Sequence, residues 1–259
     1  MLNAVDYLGP AAAGATSPQL FRGDDGKIYV VKLQNNKLGP KVLANEFLGN
    51  RLGVSLELCF PPGGIIRLEE RLIKRSRLAG VTAGRHYACL YFSGTDFLNS
   101  RNVGQAANLK EMAGVMLFDN LVQNVDRTLN RRNLLLRREA KGYRIYAIDN
   151  SHLFRRALWT EEQLADLAKR MEVNRHGVYG SLLKHWLRPA DFAPYVTRLA
   201  TWSDGFLTDA VEAIPGEWLP QAGEREAAVR YLIARRERAA EVLTCLTALI
   251  PAERRAGGD

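Results

Sequence analysis

Three residues whose side chains carry oxygen atoms suited to metal binding lie near one another in the middle of the sequence: Asp126, Asn133 and Asp149. One or two carboxylates, an amide oxygen and the phosphate oxygens of a nucleotide make up the octahedral ligand set that Mg²⁺ prefers. Phosphoryl transfer also needs a carboxylate that orients the attacking hydroxyl and stays outside the metal shell. This chemistry favours Asn133 and Asp149 as metal ligands and Asp126 as the orienting carboxylate.

The convergence of these three side chains depends on a predicted β-hairpin. Two strand-like runs flank the turn sequence at 139–142. We expect the hairpin to be symmetric about Lys141, which pairs Asn133 with Asp149 at its open end. Asp126 then returns to the same side from the end of the preceding helix.

A phosphate-binding site also needs a cation. A lysine on a rigid strand, backed by a carboxylate on a helix, supplies one without leaving either charge unpaired. Lys32 lies in the strand-like segment YVVKLQ, and Glu46 lies in an amphipathic segment that follows it. These two residues are the natural pair.

The first third of the chain predicts a small sheet with one helix. Asp25-Gly26 is a strong turn signal between the apolar runs 18–22 and 28–34, which indicates a hairpin. Gly39-Pro40 opens a helical pattern that Gly53 is expected to stop. Further apolar runs predict strands at 56–60, 65–68 and 87–92.

From about residue 95 the apolar period becomes helical. The run 105–124 is apolar enough for a buried central helix. After the hairpin the pattern is helical again, with a capping box at Thr160 and a long final amphipathic helix over 223–250. The chain is therefore expected to be α+β, strand-rich first and helical later.

Several of these stretches together resemble the HipA-like kinases and, more distantly, the phosphoinositide lipid kinases. They are the Lys in YVVKLQ, the Glu in LANEFLGNRLG, the Asp-Arg pair opening a loop that ends in Asn, and IDNSH after a hairpin. The resemblance covers residues 14–155 with motifs. It implies a bilobal α+β protein-kinase-like fold, with a small β-rich N-lobe containing one helix over 1–94 and a larger, mainly helical C-lobe over 95–259.

The resemblance implies one role for each matching residue. Asp126 is then the catalytic aspartate, and Asn133 and Asp149 are the magnesium ligands. Lys32 is the lysine that contacts phosphate, and Glu46 is its partner. The implied cofactors are ATP and Mg²⁺.

The resemblance also implies nucleotide contacts elsewhere in the N-lobe. Tyr91 and Phe92 fall near the adenine-binding connection between the lobes. The loop that covers the phosphates corresponds to Gly14, Ala15, Thr16 and Ser17.

The sequence departs from the family pattern in three ways. Seven positions separate Asp126 from Asn133, more than the closer relatives usually have. Thr128 replaces the usual His, and Asn150-Ser151 replaces Phe-Gly. Asn130 is therefore an alternative metal ligand, although the expected hairpin register favours Asn133.

We expect an ATP- and Mg²⁺-dependent phosphotransferase that acts on a Ser or Thr hydroxyl of an unidentified protein. A small-molecule or lipid hydroxyl is an alternative acceptor, and a pseudokinase or nucleotide-sensing interaction module is an alternative function. The formal charge of +8 also suits a nucleic-acid-associated protein, but the sequence has no recognisable stacking platform or helix-turn-helix. Nucleic acid is thus not required as a partner.

The remaining features bear on the cellular compartment. The three cysteines, Cys59, Cys89 and Cys245, are far apart and odd in number, which favours neither a disulfide framework nor a zinc site. The N-terminus is not typical of a secretory signal. No apolar run approaches the roughly 18 to 20 residues of a membrane span, so we expect a cytoplasmic protein.

Overall fold

The first part of the chain folds into a closed barrel of five strands. The structure, a computed structural model, describes residues 1–11 and 16–255, and only the backbone of Arg131. The strands are β1 (Leu2–Pro10), β2 (Gln19–Gly23), β3 (Ile28–Lys32), β4 (Gly63–Leu68) and β5 (Gly84–Leu90). Around the barrel they follow the order β1-β2-β3-β5-β4. β1 and β4 pair in parallel, and every other neighbouring pair is antiparallel.

The hairpin predicted around Asp25-Gly26 is confirmed, with Phe21 paired with Tyr29 across β2 and β3. The strand predicted over 56–60 is wrong. These residues follow a helix without joining a ladder, and all of their side chains except that of Glu57 are buried in the core. Strand β1 was not predicted, because two register shifts interrupt the alternation of its side chains.

Two helices accompany the barrel. α1 (Lys41–Ser55) runs two residues past Gly53, and Glu57, with a φ of 54°, turns the chain after it. The expectation that Gly53 ends the helix is therefore wrong. The expectation of one helix in this part is also wrong, because α2 (Glu70–Arg75) follows β4. With six residues, α2 is too short to produce a periodic apolar pattern.

A second, three-stranded antiparallel sheet contains the hairpin on which the site prediction rests. Its strands are β6 (Thr95–Phe97), β7 (Leu134–Glu139) and β8 (Gly142–Ala147), in that order. Leu134 pairs with Ala147, so the predicted register is wrong by one residue. The turn consists of two residues, 140 and 141, so the centre of symmetry lies before Lys141. Gly142, with a φ of 117°, is the first residue of β8.

Helices make up the rest of the protein and share one hydrophobic core with α1 and β7–β8. Every residue of the central helix is buried, although that helix is shorter than the predicted run 105–124. The predicted final helix is divided in two near Arg238. The helices are α3 (Met112–Val122), α4 (Asp126–Leu129), α5 (Glu161–Lys169), α6 (Val178–His185), α7 (Ala193–Leu199), α8 (Asp204–Glu212), α9 (Ala222–Glu237), α10 (Ala239–Ala248) and α11 (Ala252–Arg255). Within the described ranges, none has both the length and the apolar character to cross a membrane.

Helix α1 is anchored to the helical part of the protein along its whole length. At its start, Lys41 Nζ donates to Trp159 O over 2.8 Å. At its end, Ser55 Oγ accepts a hydrogen bond from Trp202 Nε1, also over 2.8 Å. Between them, the ring of Phe47 packs edge-on against a further tryptophan. Any side chain that α1 carries toward the barrel is thereby held in a defined place relative to the helices.

Replacing Gly53 by Ala should destabilise the protein by about 1–3 kcal/mol, because the added methyl group would overlap the ring of Phe60. That ring cannot move freely, since it packs on Phe118 and under the guanidinium of Arg127. The overlap outweighs the roughly 1 kcal/mol that Ala gains over Gly inside a helix. Urea denaturation measures the change.

Gly205→Ala is the matched control. Gly205 is exposed in α8, and the nearest atom to an added Cβ is Ser203 Oγ at 3.8 Å. We expect that variant to be unchanged or slightly more stable. A Gly53→Ala protein with the denaturation midpoint of the parent would contradict the packing described here.

Candidate active site

A sharp reversal after α3 places Asp126. Gln123 adopts a left-handed backbone with a φ of 56°, and the amide of Asn124 donates to Asp119 O over 2.9 Å. These contacts end α3, and α4 begins at Asp126 two residues later. The Asp126 side chain remains 28% exposed, so a ligand can reach its carboxylate.

Asn133, rather than Asn130, lies against this carboxylate. Asn133 Nδ2 donates to Asp126 Oδ2 over 2.8 Å, and Asn133 is buried. Asn130 is exposed, and its Oδ1 accepts from the amide of Arg132 to cap the 3₁₀ turn before β7. The one-residue change in hairpin register does not separate Asn133 from Asp126, because this turn and not the strand ladder orients the amide.

Asp149 lies just after β8 in an unfavourable backbone conformation. Its φ is 69°, a left-handed value that costs a residue other than glycine about 1 kcal/mol or more. Ser151 holds it there by donating to Asp149 Oδ1 through its amide, over 3.1 Å, and through its hydroxyl, over 2.5 Å. Asn124 Nδ2 also donates to the carbonyl of Asp149 over 3.3 Å.

Lys32 and Glu46 form a buried ion pair beside Asp149. Lys32 Nζ contacts Glu46 Oε1 and lies 3.0 Å from Asp149 Oδ1. Burial alone would lower the pKa of Lys32, but the carboxylates of Asp149 and Glu46 raise it above its usual value. Burial opposes ionisation of Asp149, yet the Lys32 ammonium and the hydrogen bonds to this carboxylate hold its pKa well below the usual range. Burial raises the pKa of Glu46, although the nearby ammonium of Lys32 acts to lower it.

His152 and Ser151 join the two acidic positions. His152 Nδ1 lies 3.9 Å from Asp126 Oδ2 and 3.0 Å from Ser151 Oγ. Because Ser151 Oγ also donates to Asp149, a continuous line of polar contacts runs from Asp126 to Lys32. The line connects α4 to the barrel strand β3.

The buried guanidinium of Arg127 organises the backbone around this line. Arg127 Nε donates to Asp119 Oδ2 over 2.7 Å, and both side chains are fully buried. Its Nη1 donates to Ile148 O over 2.5 Å, and its Nη2 donates to Asn150 Oδ1 over 2.7 Å. Burial raises the pKa of Asp119, while Arg127 and the hydroxyl of Tyr179 favour its charged form. One side chain of α4 therefore holds the residues on both sides of Asp149.

The donor set suits a hard divalent cation. The hydrogen bonds of Lys32 and Ser151 to Asp149 all use Oδ1, and Asn133 donates through Nδ2. The other carboxylate oxygen and the amide oxygen are the atoms that such an ion would bind. No group of three or more His, Cys, Asp or Glu side chains suited to a metal lies in the described part of the chain.

The four other residues expected to contact the nucleotide flank strands of the barrel, two just before β2 and two just after β5. Thr16 is buried, and Ser17, with a φ of 47°, leads into β2. Gly14 and Ala15 of the same expected loop lie outside the described residues. Tyr91 is 40% exposed directly after β5. The ring of Phe92 packs at 4.4 Å on Tyr146, across the connection to the second sheet.

Sequence reasoning missed the residues that support the site. In the motif IDNSH, Asn150 and Ser151 stand out only as departures from the family pattern, and His152 carries no signal of a structural role. Arg127 was visible only as the second half of the Asp-Arg pair. Its partner Asp119 lies in an apolar helix, where a lone carboxylate signals a buried ion pair.

Comparisons with known proteins show the family of the chain and proteins of similar fold. A family model described as HipA-like kinase matches residues 5–244. The fold is similar to the proinflammatory kinase CtkA of Helicobacter pylori, with a TM-score of 0.60 and 12% identity, over 95% of this chain and 97% of that one. It is also similar to hydra Fam20 with sugar, with a TM-score of 0.53 and 12% identity, over 95% and 87% of the two chains. The Golgi casein kinase with Mn and ADP bound gives a TM-score of 0.51 and 11% identity, over 99% and 75%. No curated protein matches the chain significantly.

Replacing Arg127 by Met should cost about 3–5 kcal/mol of unfolding free energy, because it leaves Asp119 buried without its counter-charge. The double variant Arg127→Met, Asp119→Asn removes the charge as well, so it should recover part of this loss. Urea denaturation of the two single variants and the double variant gives the coupling between them.

Arg71→Met is the control, since Arg71 is 87% exposed in its ion pair with Glu69. Such a pair contributes at most about 1 kcal/mol. Additive effects of the Arg127 and Asp119 changes would show that the two side chains do not act as a pair.

Proposed function

The chain belongs to the HipA-like kinase family, and we propose that it uses ATP and Mg²⁺ to phosphorylate a Ser or Thr hydroxyl of a protein. Residues 1–94 would form the nucleotide-covering lobe, and residues 95–259 would carry the catalytic loop, the metal site and the acceptor side. The three cysteines are free thiols, in keeping with a reducing cytoplasm.

One observation supports this proposal above the others. Asp126 contacts Asn133 at 2.8 Å, and the line of polar contacts through His152 and Ser151 leads from Asp126 to the Lys32–Asp149 pair at 3.0 Å. A kinase requires these groups together: an orienting carboxylate, an amide and a carboxylate for the metal, and a cation for the phosphates.

Each residue then has one task. Asp126 orients the acceptor hydroxyl and accepts its proton as the hydroxyl oxygen bonds to the γ-phosphorus and the bond to the ADP oxygen breaks. Lys32 contacts the nucleotide phosphates, and Glu46 keeps it in place. Asn133 and Asp149 hold Mg²⁺, which when bound neutralises the charge that develops on the phosphate oxygens.

The remaining nucleotide contacts come from the barrel side. Thr16 and Ser17 would cover the phosphates, since they follow β1 and lead into β2. Tyr91 and Phe92 would lie beside the adenine, since they connect β5 to the second sheet. The same machinery on a small-molecule or lipid hydroxyl is the alternative for the acceptor.

Asp126→Asn and Asp149→Asn should each lower phosphate transfer by about 10²–10⁴-fold, because the first loses the proton acceptor and the second a charged metal ligand. The measurement is ATP turnover and label incorporation from γ-labelled ATP with Mg²⁺, alone and with lysate. Asp166→Asn, which changes an exposed carboxylate of α5, is the matched control and should keep parental activity.

The other results of this experiment are equally informative. Nucleotide binding without turnover in the parent protein would indicate a sensing module. Turnover that survives both Asp126→Asn and Asp149→Asn would exclude the proposed roles.

A second experiment decides between Asn133 and Asn130 as metal ligand. Nucleotide should raise the melting temperature of the parent only when Mg²⁺ is present, because Asp149 and Asn133 would hold the ion that neutralises the phosphate charge. Asn133→Ala should raise the Mg²⁺ concentration that this thermal shift requires by about 10-fold or more. Asn130→Ala should leave it unchanged, and the opposite pattern would move the metal to Asn130.

A further inference from the structure

Asn150 connects the two parts of the site, although its residue type departs from the family pattern. It is 3% exposed. Its side-chain Oδ1 accepts a hydrogen bond from Arg127 Nη2 over 2.7 Å, and its backbone amide donates to Glu46 Oε2 over 3.1 Å. Asn150 therefore contacts a residue of α4, which carries Asp126, and the α1 carboxylate that pairs with Lys32.

The space around Asn150 is closed on the α1 side. A Cβ at Gly49 would lie 2.6 Å from the Cβ of Asn150 and 2.7 Å from its Cγ. The helix can approach this closely only because residue 49 is glycine. At position 150, where the family pattern has Phe, the polar contacts of Asn150 stand in place of the apolar packing of a ring.

The contacts of Asn150 act directly on the backbone of Asp149. The guanidinium of Arg127 donates to the carbonyl of Ile148, before Asp149, and to the side chain of Asn150, after it. Between these two contacts Asp149 keeps its φ of 69°. Without the contact to the Asn150 side chain, Arg127 holds only the residue before Asp149. The contacts from Ser151 and Asn124 remain, but with one support fewer Asp149 relaxes more easily toward ordinary backbone angles. Relaxation would turn the carboxylate away from the proposed metal position.

We propose that Asn150 is a positioning residue that holds Asp149 in the conformation required for binding the divalent cation. The inference rests on the proposed function, and it gives the Asn150-Ser151 sequence a role in an active site. An amide suits this place because the positive charge of Arg127 is already balanced by Asp119. A carboxylate there would put a further negative charge close to Asp149 and Glu46.

The test compares the Mg²⁺ dependence of Asn150→Ala with that of Asn50→Ala. Asn50 is also a buried asparagine, 5% exposed, and donates to Pro61 O over 2.9 Å. Both variants should lose stability, but only Asn150→Ala should change the metal dependence. We expect the Mg²⁺ concentration for half-maximal ATP turnover, and for half-maximal nucleotide-induced thermal shift, to rise about 10–100-fold. At saturating Mg²⁺ most of the parental turnover should return.

Each result decides the question. A parental Mg²⁺ dependence in Asn150→Ala, with a loss of stability like that of Asn50→Ala, would overturn the positioning role and leave the proposed function intact. A parent protein without Mg²⁺-dependent nucleotide binding or turnover would overturn both. If circular dichroism shows that Asn150→Ala is unfolded, Asn150→Ser, whose shorter side chain cannot reach Arg127 directly, takes its place under the same criteria.

Discussion

The burial of the Arg127 guanidinium is the constraint from which the geometry of the site follows. A charge removed from water must be paired and fully hydrogen-bonded, or its desolvation costs several kcal/mol. The chain pairs this charge with Asp119 from α3 and gives it two further acceptors, the carbonyl of Ile148 and the side chain of Asn150. Helix α3, helix α4 and the segment that follows β8 must therefore meet at one point. Because Asp126 immediately precedes Arg127, the same meeting fixes Asp126 relative to Asp149.

The barrel is linked to this centre directly through Lys32 of β3 and also through α1. Glu46 contacts Lys32 on one side and accepts a hydrogen bond from the backbone amide of Asn150 on the other. Next to Glu46 in sequence, Asn45 donates to Ser151 O over 2.8 Å and accepts from the indole of Trp159. The α1 anchors near Lys41 and Ser55 then prevent the helix from moving without breaking several buried contacts. The Lys32–Glu46 pair is in this way part of the same packed unit as the hairpin.

The sequence predicted those elements whose evidence is local. The β2–β3 hairpin has a turn signal, α1 has a periodic apolar face, and α3 is apolar throughout, so each was recognisable from a short window. The register of β7–β8 was predicted one residue out, because the position of the turn depends on the left-handed Gly142 and not on the apolar pattern. Asn133 still reaches Asp126, through a 3₁₀ turn that the sequence did not indicate.

The supporting contacts could not be predicted in the same manner, because they join positions far apart in the chain. Asn150 and Glu46 are 104 positions apart, and Lys32 and Asp149 are 117 apart. A single sequence carries no signal for such pairs beyond the presence of a polar residue in an apolar context. Asp119 was such a residue, in a helix that is otherwise almost wholly apolar.

The charges at the centre leave one carboxylate oxygen available for the proposed cation. Arg127 pairs with Asp119, and Lys32 contacts both Glu46 and Asp149. Lys32 and Ser151 approach Asp149 through Oδ1, and these contacts hold its pKa well below the usual range, so the carboxylate stays charged. The line of contacts through His152 then brings Asp126 close to the same place. The fold holds Asp149 in a strained conformation with its side chain 28% exposed, and its other oxygen would be available to the divalent cation that we propose.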